Sequence, residues 1–555
     1  MALQSNGQLL IRHATPQLSA TAVLRAPLPL TNYNLEPLFH SPAHLSAVAA
    51  LGAMPVQGPT WSLAKPTAVA QINPWDAAHH AAAQQNYSIY VEPDILHVPT
   101  NLPAETAASG GFNENYPPAT GADVSPAWHL KQDFTGFENI RGIATGKDIR
   151  IAHLDTGYTP QHGSTPRNMQ PQFGWNFWDD NDNTVDPGTQ ILGLLQPGHG
   201  TATLALLAGK TVNLTFGPQN YEGDFGGAPD AEIVPVRIGP TVYHFASSSL
   251  ARGLNYALAP RGNSDMKCGV ISLSHGGLPS AAWAAAVNAL YEAGVIVVAA
   301  SGDNFYFGIA DIATQFTVYP SAFNRAITAL GATFEGKPYT TTTIGVMQGS
   351  WGPDAVMEKA IAAYTPNVAW MNYKVFPCGF EMDGAGTSAS TPQIAAACAL
   401  WLQLYGNEFP QDWTVVEACR LALFRSATST ASPKSMLGWG TLNAAAMLGA
   451  NMAQQIIAES KSGKLSKSPE DSVSFPFWRL LFGIPPTGSA EEEMYETEVA
   501  QIVLSSRNPA LIIAAQSAAK NGNFGQASKA SLVTALQAET ISAALSKRLT
   551  KAPVP

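Results

Sequence analysis

Charge is scarce in this 555-residue chain: only 13% of residues are Asp, Glu, Lys or Arg, about half the ~25% of an ordinary soluble domain. Basic groups are the scarcer kind. With 30 Lys and Arg against 40 Asp and Glu, the formal charge is −10. That excludes a nucleic-acid partner, because phosphate neutralisation needs clustered cations. Long apolar runs are missing too: no stretch of about 18 uncharged apolar residues stands out, so no membrane span is expected. Cysteine is sparse. Cys268, Cys378, Cys398 and Cys419 are too few for a disulfide scaffold and form no CxxC pair, so free thiols are expected. The opening MALQSNGQLLIRHATPQLSATAVL lacks a basic segment followed by a compact apolar one. No secretory signal is read there, which leaves the location open between the cytoplasm and a non-standard export route.

What is present is a core-forming composition. Hydrophobic residues make up 46% of the chain, enough for a sizeable core and incompatible with global disorder. The length suggests about two to four domains, and 47 Gly with 41 Pro indicate much loop. Residues 1–65, rich in Ala, Leu and Pro, are expected to form a loosely organised leader. NPWDAAHHAAAQQ (73–85) predicts a helix, with Asn73 as cap, Pro74 in the first turn and Ala favouring continuation. SIYVEP (88–93) predicts a strand ended by Pro93. Residues 100–127, rich in Gly, Pro, Asn and Ala, read as a linker and processing region.

From about 128 to 450 short apolar strands alternate with Ala-rich helices. Strands are expected at 149–154, 233–238, 268–274, 294–301 and 326–332, and helices at 199–208, 280–293 and 391–405. Strands apolar on both faces and separated by helices predict a parallel α/β sheet. In such sheets functional groups collect beyond the carboxyl ends of the strands. Residues 451–488 read as a linker, and 489–555 as a helical extension.

Three segments place a reactive side chain at the end of an element. In HLDTGY Asp155 closes a buried strand; in PGHGTATLALLAG His199 enters an apolar helix. In DGAGTSASTPQIAAACALWLQL Ser388 sits on a Gly-rich turn before another helix, with Pro392 in its first turn. A serine hydroxyl becomes a nucleophile when a positioned base takes its proton, and that base works best when a buried carboxylate orients it. Singly, Asp155 reads as a turn cap, His199 as a helix-start residue and Ser388 as an N-cap. His153, Asp155 and His199 lack metal-ligand spacing, and no GxSxG elbow of a lipase or esterase surrounds Ser388.

Together, in the order Asp…His…Ser with DTG, HGT and GTSxSxP around them, the segments resemble the subtilisin-like (subtilase) family of serine proteases. That order differs from the chymotrypsin and α/β-hydrolase arrangements. The resemblance covers about 125–450. It implies that Ser388 is the nucleophile, His199 the general base and acid, and Asp155 the orienting carboxylate of a peptide-bond hydrolase working through an acyl-enzyme. VISLSHGG (270–277) looks like the family's substrate-binding edge strand, with Ser272, Ser274 and Gly276 as contacts; Ala300, Ser301 and Gly302 complete the implied binding set. GGAPDAEIVPVRI, YPSAFNRAITALGAT (319–333), SWGPDAV (350–356) and GWGTLNAAAML (438–448) resemble further parts of the same domain. Cys398 is expected to be a small core residue. Protein or peptide substrates are implied and no cofactor is required. Structural calcium is common in the family, but no Asp-rich loop here places it.

The pattern departs at the oxyanion hole. Where the family carries an Asn, IVVAASGDNF puts Asp303 in register and Asn304 one residue later. An ionised Asp cannot donate there. Either a protonated Asp303 is the donor, with activity leaning towards mildly acidic pH, or Asn304 swings in, or the chain is a peptide-binding pseudoprotease with impaired turnover. His275, where the family favours a smaller residue, reads as a pocket residue or a solvent-facing one. Residues 66–99, NPWDAAHH…YSIYVEPDIL in particular, resemble the helix and last strand of a subtilase propeptide. That implies a zymogen cut between about 98 and 127; an unrelated helix–strand pair is the alternative. The C-terminal helices resemble nothing placed. They are available to a protein partner or as a lid, and by default pack on the protease.

Overall fold

The computed structural model describes residues 3–13, 30–39, 60–68, 72–97, 113–118, 124–188, 198–242, 244–306, 316–428, 434–473, 481, 487–506, 508, 510–511, 513–514 and 526–551. Most of the expected processing region, 98–112 and 119–123, lies outside them.

The first part of the chain is a small antiparallel sheet, which corrects the expectation of a loosely organised leader. Strands β1 (Ser5–Arg12), β2 (Tyr33–Pro37), β3 (Trp61–Pro66) and β4 (Tyr90–His97) stand in the order β4-β1-β3-β2. Helix α1 (Pro74–Ala83) begins as expected, with the Asn73 side chain accepting from the Trp75 N–H at 2.9 Å, and buries Trp75, Ala78 and Ala82. Pro93 lies inside β4 rather than ending it. The pairing of β4 with β1 shifts register between Leu9 and Ser5, opposite Pro93 and Ile95, and such an irregularity is where a strand tolerates proline.

The rest of the chain carries β5 (Arg150–Asp155), β6 (Trp175–Asn176), α2 (His199–Ala208), the hairpin β7 (Thr211–Phe216) and β8 (Gln219–Asp224), β9 (Glu232–Arg237), β10 (Phe245–Ala246) and α3 (Ser247–Tyr256). Then come β11 (Val270–Leu273), α4 (Ala281–Glu292), β12 (Ile296–Ala300), β13 (Asp303–Phe305), β14 (Ala326–Ala332), β15 (Met347–Gly349) and β16 (Ala360–Tyr364). The hairpin β17 (Val368–Met371) and β18 (Phe380–Gly384) leads into α5 (Thr387–Tyr405), α6 (Trp413–Ser426) and α7 (Ala450–Lys461). Helices α8 (Ala490–Ser505), α9 (Gln526–Gln537) and α10 (Ala543–Lys551) follow.

The seven-stranded sheet has the order β16-β14-β12-β11-β5-β9-β6, and each neighbouring pair is parallel. Alternation along the strands sends Ile151, Val270, Ile296 and Val298 to a core shared with Leu206, Ile394 and Cys398 of α2 and α5. Ala152, Leu154, Ile271 and Val297 face the opposite core, with Leu250 and Trp283 of α3 and α4. Residues i and i+2 of a strand share a face, so Asp155 lies on the side of α2 and α5. Each fully buried Leu or Ile contributes about 1.5–3 kcal/mol relative to exposure. The second core continues into the small sheet through Leu9, Ile11, Trp75 and Tyr90.

The small sheet is docked edge-on. Phe245 and Ala246 of β10 pair antiparallel with His97 and Leu96 of β4. Helix α8 packs on β4 and α1 rather than only on the protease-like part, which corrects the default expectation. Trp75 Nε1 donates to Gln501 Oε1 at 3.0 Å, His79 Nε2 lies 3.1 Å from Glu498, and the Tyr90 hydroxyl meets Thr497 at 2.9 Å. Gln501 also reaches the Pro279 carbonyl at 2.9 Å. Among the described residues no helix is long and apolar enough to cross a membrane. Cys268, Cys398 and Cys419 are buried free thiols and Cys378 is half-buried.

Candidate active site

Asp155 ends β5 and is 1% exposed. The chain leaves it through Gly157 at φ +109°, where a Cβ would meet the Thr184 carbonyl at 2.7 Å. His199 is the first residue of α2, entered through Gly198 in the left-handed region. Its Nδ1 lies 2.8 Å from Asp155 Oδ1, and its Nε2 has no hydrogen-bond partner among the described residues.

Ser388 is the second residue of α5, which starts at Thr387, before the expected 391. Pro392 is therefore inside the helix. A proline has no N–H for the carbonyl four residues back, so the Ser388 carbonyl is left open. The Ser274 hydroxyl takes it at 3.0 Å, while the Ser388 hydroxyl donates to the Ser274 carbonyl at 3.3 Å. Helix start and strand end are thus tied reciprocally.

Asp155 is ionised. Burial alone would raise its carboxyl, yet the His199 ring and its hydrogen bond, with His275 and His153 adding, hold it well below the usual carboxylate range. The Thr156 N–H reaches Oδ1 at 2.7 Å, and the Thr203 hydroxyl reaches Oδ2 at 3.1 Å. Behind them Asp186 binds the Thr156 hydroxyl at 2.7 Å and the Gly198 N–H at 3.0 Å. Burial raises its carboxyl against those bonds.

The binding residues expected from the sequence divide. Ser274 touches Ser388, and Gly276 lies against Val318 and Tyr319. Ser272, however, sits in β11, an interior strand between β12 and β5, so 270–273 is no edge; past Leu273, Gly277 pairs with Tyr319. Ala300 and Ser301 are buried as well, whereas the Gly302 N–H bonds the Thr387 hydroxyl at 3.1 Å. Gly277 is covered by His97: a Cβ there would fall 2.3 Å from the His97 ring.

Asp303 accepts the Thr387 N–H at 2.9 Å, and one of its oxygens lies 3.2 Å from the Thr387 hydroxyl, which places its carboxyl one residue from Ser388. Asn304 is engaged elsewhere, donating to Ser350 at 3.1 Å and accepting from Gln348 at 3.2 Å. His275 is buried, correcting the solvent-facing alternative, with its ring centre 5.9 Å from that of His199 and 5.6 Å from that of Phe245, edge-on in both pairs. Burial lowers it to about 4, against the pull of Asp155.

Three contributors were not singled out from sequence for this role. Thr203 lies one helical turn after His199, a spacing that could have exposed it. Trp370 of β17 packs its ring edge-on, 5.5 Å from that of His199, and Asp186 sits in a loop; neither has a local signature. For calcium, no group of three or more His, Cys, Asp or Glu among the described residues could hold a metal ion, so no such site is placed.

The profile of the subtilase family (peptidase S8) matches residues 146–440. Subtilisin BL of Lederbergia lenta is 30% identical over 322 residues, covering 58% of this chain and 98% of the relative. Subtilisin Savinase of the same organism shows the same figures: 30% over 322 residues, 58% and 98%. An intracellular serine protease of Paenibacillus polymyxa is 26% identical over 321 residues, 55% of this chain and 84% of the relative.

Proposed function

Because the chain belongs to the subtilase family of peptidases, we propose that it is a serine endopeptidase with Ser388 as nucleophile, His199 as base and Asp155 as orienting carboxylate. The reading rests above all on the 2.8 Å contact between Asp155 Oδ1 and His199 Nδ1, which fixes the imidazole and leaves Nε2 to receive a proton. In the first step Nε2 takes the Ser388 hydroxyl proton as Oγ attacks the scissile carbonyl. His199 then hands that proton to the leaving amine, which yields an acyl-enzyme. Water reverses the sequence and frees the acid product. Catalytic hydrogen bonds are often long without substrate, consistent with a Ser388 hydroxyl resting on Ser274.

The oxyanion forms beside the first turn of α5, where N–H groups have no intrahelical acceptor, so the Ser388 N–H is one donor. A protonated Asp303 is the other in this reading, supported by the place of its carboxyl one residue from Ser388. The competing reading, a peptide-binding module without turnover, draws on the contact in which Asp303 accepts from the Thr387 N–H.

The N-terminal sheet acts as propeptide and inhibitor in this account. Its last strand pairs with β10, and His97 at its end stacks on Phe245 at 4.5 Å and on Trp283 at 5.3 Å and covers Gly277 of the expected substrate-binding segment, a strand-addition contact that supports this role. The test is the mature N-terminus together with hydrolysis of an unfolded protein substrate. Wild type should cleave the substrate and shorten itself between about 98 and 127, while Ser388→Ala does neither. Equal lengths and no hydrolysis by either protein would overturn the proposal.

A further inference from the structure

Two residues before Asp155 on β5, His153 turns its ring to the same face of the sheet. It is 2% exposed, in a strand where apolar residues are the rule, and a buried imidazole needs a partner. Its Nε2 stands 2.9 Å from Thr203 Oγ1, and Thr203 stands 3.1 Å from Asp155 Oδ2. His153 Nε2 is itself 3.9 Å from that oxygen.

The direction of these bonds follows from counting protons. Thr203 has one hydroxyl proton. Within its reach are Asp155 Oδ2, the carbonyls of His199 and Gly200 at 3.2 and 3.3 Å, and His153 Nε2. The carboxylate is the charged acceptor, and charge-assisted bonds are the stronger ones. With its proton given to Asp155, the Thr203 oxygen accepts from His153, which is then the neutral Nε2–H tautomer. Burial keeps that ring neutral by lowering it to about 4, although the Asp155 charge pulls the other way. Oδ1 meanwhile holds the Thr156 N–H and His199. Both oxygens of the carboxylate are thus engaged, and turning it would break a bond at each.

We propose that His153 is a positioning residue, donating through the Thr203 hydroxyl to Oδ2 of Asp155 and so fixing the oxygen that orients His199. The proposal rests on reading Asp155, His199 and Ser388 as the triad. Without the Thr203 proton the charge of Asp155 concentrates on His199, which stabilises the imidazolium and moves the His199 titration to higher pH. The carboxylate also gains freedom to turn, which lowers kcat. The titratable groups facing this cluster are Asp155, His199 and His275, with Asp186 behind Thr156; the substitutions below alter none of them.

Thr203→Val removes the hydroxyl at nearly constant volume, His153→Phe removes the donor, and Thr203→Ser returns a hydroxyl. Thr203→Val and His153→Phe should each lower kcat about tenfold with KM little changed. The double variant should be no worse than the poorer single, because one line is cut in either case. Thr203→Ser should recover most of the loss. In full-length Ser388→Ala, the His199 titration, followed by NMR on isotope-labelled histidine, should move to higher pH on adding Thr203→Val. Folded variants with unchanged kcat and unchanged His199 titration, or with fully additive losses, would overturn the proposal. A wild type without turnover whose His199 titration still moves with Thr203→Val would uphold the positioning role and overturn the peptidase reading instead.

Discussion

Glu92 of β4 closes the first turn of α4 together with Ser280: its carboxyl accepts the Ser280 hydroxyl at 2.6 Å and the N–H groups of Ala281 and Ala282 at 3.0 and 3.1 Å. Asp94 does the same at the start of α3, taking the Ser248 N–H at 2.8 Å and hydroxyl at 2.7 Å. Carboxylates suit helix N-termini, and here both belong to the N-terminal sheet while the helices belong to the protease domain.

Burial raises both carboxyls, with their hydrogen bonds working in the opposite direction. A carboxyl whose pKa is higher docked than free favours docking in its protonated form. Its contribution is complete below the free pKa and is lost as pH rises through the docked one. Protein nicked between about 98 and 127 should therefore hold its N-terminal fragment at acid pH and release it more readily at alkaline pH, and Glu92→Gln should flatten that dependence. Size-exclusion chromatography across pH checks this; retention that strengthens with pH would contradict it.

Gly200 follows His199 with no room for a side chain: a Cβ would stand 1.9 Å from the Gly157 carbonyl and 3.1 Å from Asp155 Oδ1. Gly200→Ala should push α2 away from β5, destabilise the fold by about 1–3 kcal/mol and lower kcat by about 10² through misplacement of His199. Thermal unfolding and steady-state kinetics measure the two effects. Wild-type kcat in a folded Gly200→Ala would show that the Asp155–His199 contact does not depend on this close approach.

The sequence disclosed the strands of the central sheet that are apolar on both faces, and the three short segments around Asp155, His199 and Ser388. Their chemistry is local: a strand end or a Gly-flanked helix start. It disclosed less where tertiary context decides. Ala360–Tyr364 is too short and Ala-rich to stand out as a strand, and β1 and β3 become strands by pairing with each other and with β4. Proline marked an end for β4 that a register shift removes. Ser272 carried an edge-strand expectation that failed because β5 and β12 enclose it. His275 follows a strand end, where nothing local tells a buried ring from an exposed one.

Asp303 stands where the resemblance expects the family's Asn, and its proposed role can be read kinetically. If a protonated Asp303 donates to the oxyanion, wild-type kcat/KM falls as rising pH removes that proton. Asp303→Asn, a donor at every pH, should lack that fall and exceed wild type at alkaline pH by about tenfold or more, since such a donor is worth roughly 10²–10³. Superimposable pH–rate profiles would remove Asp303 from the mechanism.

The most direct test of the account is labelling with a small fluorophosphonate probe, read by mass spectrometry of the labelled peptide. A Ser388 hydroxyl activated by His199 and Asp155 predicts a single adduct on Ser388 in wild type, none in Ser388→Ala, and a steep loss in His199→Ala. Absence of any adduct on wild type, from acid to alkaline pH, would contradict the peptidase reading and leave a peptide-binding module in its place.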